Sequence, residues 1–294
     1  MQGLLLLNKP KGITSFSAVS KTKWLACEKR VGHTGTLDPL ATGVLPVFIG
    51  RATALCSIVL DADKGYTATV KLGITTDTCD ITGKVLTENA VSVTKEQLEN
   101  TLNKFKGKIS QVPPMYSALK KDGVRLYKLA REGVEVEIEP REIEIKHIKL
   151  TEFTGDTFKI NVLCSKGTYI RSLCRDIGEE LGCGATMTEL LRTSTGGFNL
   201  EQTVSLDELT RENIKDYILP EETALLHLKE VAVTEKQAIR FSNGGQLAYE
   251  RLKNINFAEG ELVRVKYDNK FIGVGIADNQ NMQLAIKCII NQWH

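Results

Sequence analysis

The chain carries almost no net charge. Against 38 Lys and Arg stand 36 Asp and Glu in 294 residues, a formal +2. That balance excludes a histone-like polycation and leaves local basic surfaces open. Paired cysteine chemistry is missing too. Seven cysteines stand at 27, 56, 79, 164, 174, 183 and 288, an odd number with no C-x-x-C spacing. This speaks against a disulfide framework and a zinc ribbon, and a reducing cytoplasm is the expected compartment. No apolar run approaches the roughly 18 residues a membrane span needs. The run Leu4 to Leu7 has no basic stretch before it and reads as a first strand, not a signal peptide. There is no P-loop, no dinucleotide fingerprint around Gly273-Val274-Gly275, no H-E-x-x-H and no G-x-S-x-G, and the four histidines (33, 147, 227, 294) are scattered. Internal repeats and low-complexity tracts are absent.

At 42% hydrophobic residues the chain can build a sizeable core, and its length fits two domains. Leu4 to Leu7 suits a strand buried on both faces, and Ser15 can cap a helix through about Cys27. Gly32 to Pro46 has neither period and reads as an ordered loop, followed by a helix from Arg51 to about Leu60. Alternation predicts strands over Tyr66 to Leu72 and Phe158 to Cys164. Thr94 and Gln97 form a capping box, as do Ser205 with Glu208 and Thr234 with Gln237. A helix from about Thr168 is stopped by Gly182. From about Val231 the texture turns to short strands, at Leu262 to Tyr267, Phe271 to Ala277 and Leu284 to Ile290, with Asp268-Asn269 as a hairpin turn. A linker is placed near Leu219 to Lys229. The domains are therefore 1–228 and 229–294.

Four segments could carry chemistry. VGHTGTLDPLATGVLP, Val31 to Pro46, offers one carboxylate, Asp38, and one imidazole, His33, on a backbone of small residues. A structural Ω-loop explains the composition equally well. Arg171 lies in the first turn of a helix, where the helix dipole does not favour a cation, so a carboxylate partner is expected. A neighbouring Arg would hold Asp38 ionised and lower its pKa by roughly 1–3 units. A solvent-exposed Arg is the plainer alternative. Tyr66, in Lys64-Gly65-Tyr66, is either a core tyrosine or one facing a cleft. Residues 104–131 hold eight basic side chains, among them Lys120, Lys121 and Arg125, against the single acid Asp122, with Phe105, Tyr116 and Tyr127 interleaved. That mixture suits RNA, though a solvated basic face would have the same composition.

Together these segments resemble the TruB-type tRNA pseudouridine synthases, which modify a uridine of the TΨC loop. The motifs are Leu7 to Ser15 (LNKPKGITS), Gly32 to Leu45, Lys64 to Ala68 with Leu72-Gly73, Val112 to Lys120 (VPPMYSALK), Gly167 to Leu173 (GTYIRSL) and Leu190 to Phe198 (LLRTSTGGF). They run in the family's order. The resemblance implies an α+β fold. Its catalytic domain would have a mixed, largely antiparallel sheet with flanking helices and an RNA-binding insertion at about 104–135. A small, mainly-β, PUA-like domain would follow. It also implies an isomerase acting on tRNA position 55 by base flipping, without cofactor or metal. Asp38 would be the nucleophile, with Tyr66 and Arg171 as catalytic partners. His33, Leu191, Lys9, Tyr116, Lys120, Lys121 and Arg125 would bind substrate. The tRNA TΨC arm is the implied partner, with no membrane and no obligate protein partner, for a cytoplasmic monomer. An RNA chaperone with a dead site, a guide-RNA-dependent relative and a single-carboxylate hydrolase are the competing readings.

Overall fold

The structure, a computed structural model, describes residues 1–59, 62–134, 136–253 and 256–293. Leu60, Glu135 and His294, at which three of the expectations above end, lie outside the described residues. The strands of the first two-thirds are β1 (Gly3–Lys9), β2 (Val31–His33), β3 (Thr42–Ile49), β4 (Lys64–Leu72), β5 (Ile74–Thr76), β6 (Val85–Glu88), β7 (Gly107–Gln111), β8 (Lys120–Lys121), β9 (Val124–Arg125), β10 (Arg141–Phe153), β11 (Thr157–Cys164) and β12 (Ala185–Thr195). Then come β13 (Phe198–Asn199), β14 (Val204–Ser205), β15 (Ile218–Leu219), β16 (Lys229–Ala232), β17 (Leu247–Ala248), β18 (Leu262–Tyr267), β19 (Lys270–Asp278) and β20 (Gln283–Ile289). The α-helices are α1 (Ser15–Ala26), α2 (Cys56–Val59), α3 (Lys95–Lys104), α4 (Leu126–Arg131), α5 (Ile170–Glu180) and α6 (Glu235–Ser242).

An 11-stranded sheet runs in the order β14-β1-β3-β12-β4-β11-β10-β7, with β2, β13 and β15 on its flanks. Only β1–β14 and β3–β12 pair in parallel, so the sheet is mixed and largely antiparallel. The C-terminal sheet has five strands in the order β16-β18-β19-β20-β17. Its β18–β19 hairpin turns on Asp268 and Asn269, both at positive φ (48° and 58°), as a two-residue type I′ turn demands. No helix among the described residues is long and apolar enough to cross a membrane.

The four leucines of β1 show why the run is continuous rather than alternating. Leu5 and Leu7 enter the core beneath α1 and α5. Leu4 and Leu6 enter a second core with Val44, Phe48, Phe271, Val274 and Ile290. One strand thus serves two cores, and the second joins the C-terminal sheet to the large one. The segment expected as a linker belongs to this junction. β15 pairs with β1, Leu219 opposite Leu4, and Ala224 and Leu225 are buried. Glu222 reaches Arg264 at 3.3 Å and Lys266 at 3.2 Å on β18.

Four local expectations need correction. The α1 cap is Thr14, whose side chain accepts from Ser17 N; Ser15 is buried and does other work. The segment Gly32 to Pro46 is not all loop, because β2 and β3 claim its ends and leave 34–41 between them. Pro46 sits inside β3 opposite Leu6. Gly43 and Pro46 masked a strand that is buried on both faces. The expected helix from Arg51 starts as a 3-10 helix, Gly50–Leu55, before the short α2. Ser205 with Glu208 closes a turn, not a helix, through Glu208 N donating to Ser205 O at 3.2 Å.

Because Phe48 and Phe271 share one core, the two sheets should unfold together. We expect a single urea transition, with Phe48→Ala lowering stability by about 3–5 kcal/mol and moving fluorescence and circular-dichroism midpoints equally. Two separated transitions in the wild type would show that the junction does not couple the sheets.

Candidate active site

Asp38 stands on the loop 34–41, and hydrogen bonds from α1 and its leading turn hold that loop. The Ser15 hydroxyl accepts from Leu37 N (2.8 Å) and donates to Leu37 O (3.0 Å). Gly12 N donates to Pro39 O at 2.8 Å. Leu37, Leu40 and Ala41 are buried beneath the loop, while the Asp38 side chain stays 36% exposed. The apolar residues therefore anchor the loop and leave the carboxylate partly exposed.

Arg171 is the partner the helix position called for. Its side chain is 5% exposed, and Nε lies 2.9 Å from Asp38 Oδ2. The Nε–H has no aligned acceptor, so this contact is an ion pair without a well-directed hydrogen bond. The directed bonds are Nη1 to Thr78 O (2.9 Å) and Nη2 to Tyr116 O (2.8 Å). A second carboxylate, Asp80, lies 3.7 Å from Nη1. Asp80 is buried and accepts from the Thr78 and Thr82 hydroxyls and from Thr82 N. The start of α5 has no side-chain cap. Instead, buried Gln111 receives Tyr169 N at 2.8 Å and donates to Tyr169 O at 3.1 Å. This fixes the backbone just before Arg171.

Asp38 corrects the expected pKa direction. Burial raises it above the ordinary carboxylate value, Arg171 pulls it down, and the like charge of Asp80 pushes it up again. Burial wins, because the ion pair offers one poorly aligned donor in place of a full hydration shell.

Tyr66, buried on β4, lies opposite Arg192 of β12. Burial raises the phenol's pKa, and the Arg192 guanidinium opposes that rise. Arg192 is 1% exposed and donates to Val44 O (2.7 Å) and Gly35 O (3.1 Å). It ties both ends of the Asp38 loop to Tyr66. Gly43, at φ +106°, has to be glycine: a Cβ there would lie 2.2 Å from Arg192 O. Sequence reasoning passed over Arg192, although it lay inside the Leu190 to Phe198 motif. The available signal was a cation on the buried face of a strand. A bulge between Met187 and Glu189 shifts the alternation and hides it.

The same bulge corrects Leu191. It pairs with Thr67, on the face away from Tyr66; the leucine on Tyr66's face is buried Leu190, opposite Ala68. Lys9 is also corrected as a substrate contact. It is 0% exposed and donates to Pro10 O and Ile13 O, both at 2.8 Å, holding the turn that grips the Asp38 loop. Burial lowers its pKa to about 8, opposed by Asp38. His33 ends β2, half-buried, with Nδ1 lacking a partner; burial and Arg192 keep its pKa down, favouring neutral imidazole. Tyr116 meets the site through its carbonyl. Lys120, Lys121 and Arg125 form an exposed hairpin, β8–β9, with Lys120 opposite Arg125 and Lys121 donating to Glu137 O at 2.7 Å. Among the described residues no three His, Cys, Asp or Glu side chains are grouped to hold a metal ion.

A buried arginine between two aspartates, beside a buried tyrosine, matches the order of motifs along the chain. Residues 23–170 match the TruB family pseudouridylate synthase N-terminal domain, and residues 171–226 match the tRNA pseudouridylate synthase B C-terminal domain. The chain belongs to the TruB family. It is 45% identical over 97% of its length to 99% of the tRNA pseudouridine synthase B of Clostridium tetani. It is 46% identical over 94% of its length to 91% of the Pseudomonas fluorescens enzyme of that name. Among solved structures, a Cbf5-Nop10-Gar1 complex aligns at TM-score 0.77 and 28% identity, covering 99% of this chain and 86% of that one. An H/ACA RNP bound to a substrate RNA containing 2′-deoxyuridine aligns at 0.75 and 25%, covering 98% and 85%.

If the reaction needs Asp38 ionised, this TruB-family enzyme should lose kcat/KM as pH falls through the raised pKa of Asp38. The acid limb should lie above the range of an ordinary carboxylate, and Arg171→Met should move it higher still, since the counter-charge is gone. Limbs at the ordinary carboxylate position in both proteins would show that burial does not govern Asp38.

Proposed function

We propose that this TruB-family protein isomerises uridine 55 of the tRNA TΨC loop to pseudouridine, with Asp38 as nucleophile. The observation that carries this reading is the Asp38–Arg171 pair, 2.9 Å apart, with buried Tyr66 near enough to feel the Asp38 charge. The target nucleotide is flipped out of its loop, which costs a few kcal/mol that stacking and backbone contacts must offset. Tyr66 stacks on the base, a contact worth about 1–3 kcal/mol. His33, neutral at the end of β2, fills the space the nucleotide vacates.

Asp38 then either attacks the ribose C1′ as the N1–C1′ bond breaks, or assists that cleavage through a glycal. The base rotates, C5 bonds to C1′, and the C5 proton leaves. Tyr66 is the candidate acceptor for it. To take it, Tyr66 must stand as the phenolate, which becomes the phenol on accepting the proton; the Arg192 guanidinium favours that form, against the burial that disfavours it. Arg171 keeps Asp38 in place through bonds to Thr78 O and Tyr116 O that need not break during the reaction. The chemistry calls on no cofactor.

The RNA is held by phosphate contacts, which position it without reading sequence. The β8–β9 hairpin offers Lys120, Lys121 and Arg125 for this, and 229–294 acts as a PUA-like second grip. The enzyme works as a monomer without an obligate protein partner.

Tritium release from C5-labelled uridine in unmodified tRNA transcript tests the reaction. Wild type should release label, and Asp38→Asn should fall to background while still binding RNA. Tight binding by a wild type that releases nothing would leave the chaperone reading in its place. For the hairpin, neutralising Lys120, Lys121 and Arg125 together should weaken tRNA binding and flatten its log–log salt slope by about 2. An unchanged slope would remove the hairpin from the RNA contact surface.

A further inference from the structure

The first turn of α1 carries a side chain that the fold does not use. Phe16 is 74% exposed and enters none of the three apolar cores. The two residues before it are occupied in holding the site. Thr14 caps the helix, and Ser15 bonds both the N–H and the C=O of Leu37, the residue before Asp38. Phe16 is therefore one residue from a double hydrogen bond to the catalytic loop, on a backbone that cannot drift from it. Its position relative to Asp38 is set as firmly as that of the loop itself.

The surroundings favour a polyanion with flat apolar groups. The first 27 residues contain no acid, and of their lysines Lys11, Lys21 and Lys23 reach the surface, Lys21 pairing with Asp207 at 3.1 Å. Lys11, on the turn before Phe16, is exposed. Just over two turns further along α1, about 12 Å away at the helical rise, Trp24 is 60% exposed with the Arg211 guanidinium 4.0 Å over its ring. Aromatic rings on a cationic face beside the Asp38 loop form a stacking platform for single-stranded bases.

We propose that Phe16 stacks on a nucleobase flanking the target uridine, and that the exposed line from Phe16 to Trp24 is a second RNA-contacting surface, separate from the β8–β9 hairpin. This rests on the reading of the protein as a tRNA-modifying enzyme. Flipping a nucleotide leaves its neighbours unstacked on one face. A ring held rigidly at the rim would supply the missing partner and lower the cost of the flipped state. Phe16 is thus a positioning residue for the RNA, with no part in the bond changes.

The test uses full-length protein and a TΨC stem-loop RNA carrying 2-aminopurine on either side of the target uridine. Stacking on Phe16 should quench one of the two positions with wild type and with Phe16→Tyr, but not with Phe16→Ala or Phe16→Leu. Phe16→Ala should raise Kd and KM by about 5- to 100-fold, the range expected for one lost stack, with Phe16→Tyr close to wild type. Equal quenching and affinity for wild type and Phe16→Ala would overturn the proposal. So would full rescue by Phe16→Leu, since that side chain keeps apolar area but has no ring. A concentration-dependent dimer in sedimentation that Phe16→Ala abolishes would overturn it too, by assigning the face to a second copy of the chain. Tritium release by the wild type separates the two levels. If wild type releases label and Phe16→Ala binds normally, only this proposal fails; if wild type releases none, the isomerase reading fails first.

Discussion

The site depends on one buried guanidinium. Arg171 is held by two backbone carbonyls from separate segments, Thr78 O and Tyr116 O, and faces two carboxylates, Asp38 and Asp80. A buried cation without such partners would cost several kcal/mol. Folding therefore cannot place α5 against the sheet unless the 77–82 loop, the segment around Tyr116 and the Asp38 loop arrive together. The neutral carbonyls do the directional holding, and the carboxylates balance the charge. This division leaves the Asp38 oxygens less committed than a bidentate Arg–carboxylate pair would. A carboxylate that acts as proposed needs that freedom.

Arg192 repeats the device on the other side of the Asp38 loop. It is also buried and also bonded to carbonyls, Val44 O and Gly35 O, and it faces a titratable group, Tyr66. The Asp38 loop runs between these two arginines, with Ser15 and Gly12 closing it from the α1 side. Lys9 holds the α1 turn from below. Substrate contact and loop support are thus separated. The motif lysine is spent on architecture, while the exposed cations sit on the β8–β9 hairpin.

Much of this could be read from the residues. The strand of four leucines, the α5 amphipathicity with its Gly182 stop, the Thr94 and Thr234 capping boxes and the Asp268-Asn269 turn are local signals, and the structure has each in place. The Asp38–Arg171 approach was expected from a cation misplaced at a helix start. What failed was non-local. The Leu191 and Arg192 faces depend on a bulge that no alternation reveals. Lys9 looked like an RNA contact because its burial is decided by residues 10–13 folding over it. The pKa of Asp38 was expected to fall because only the arginine was visible in sequence; Asp80 and the burial were not. Pro46 disguised a strand because the pairing with Leu6 that accommodates it is distant in sequence.

Counting charge around the loop gives the site a direction. Lys9, with a pKa of about 8, is largely protonated at neutral pH, and Arg171 and Arg192 are charged. Against these three cations stand Asp38 and Asp80. With Asp38 ionised the group carries an excess of one positive charge in a low-dielectric setting. In the proposed reaction the uracil leaves C1′ with its bonding electrons and turns before C5 reattaches. A detached uracil is anionic, and a net cation held by fixed carbonyls stabilises it without reorganising. As Asp38 bonds to sugar it loses its charge, so the excess grows to two at the moment the base becomes an anion. The same fixed charges that pull on the Asp38 pKa in the free protein would then favour the separated base.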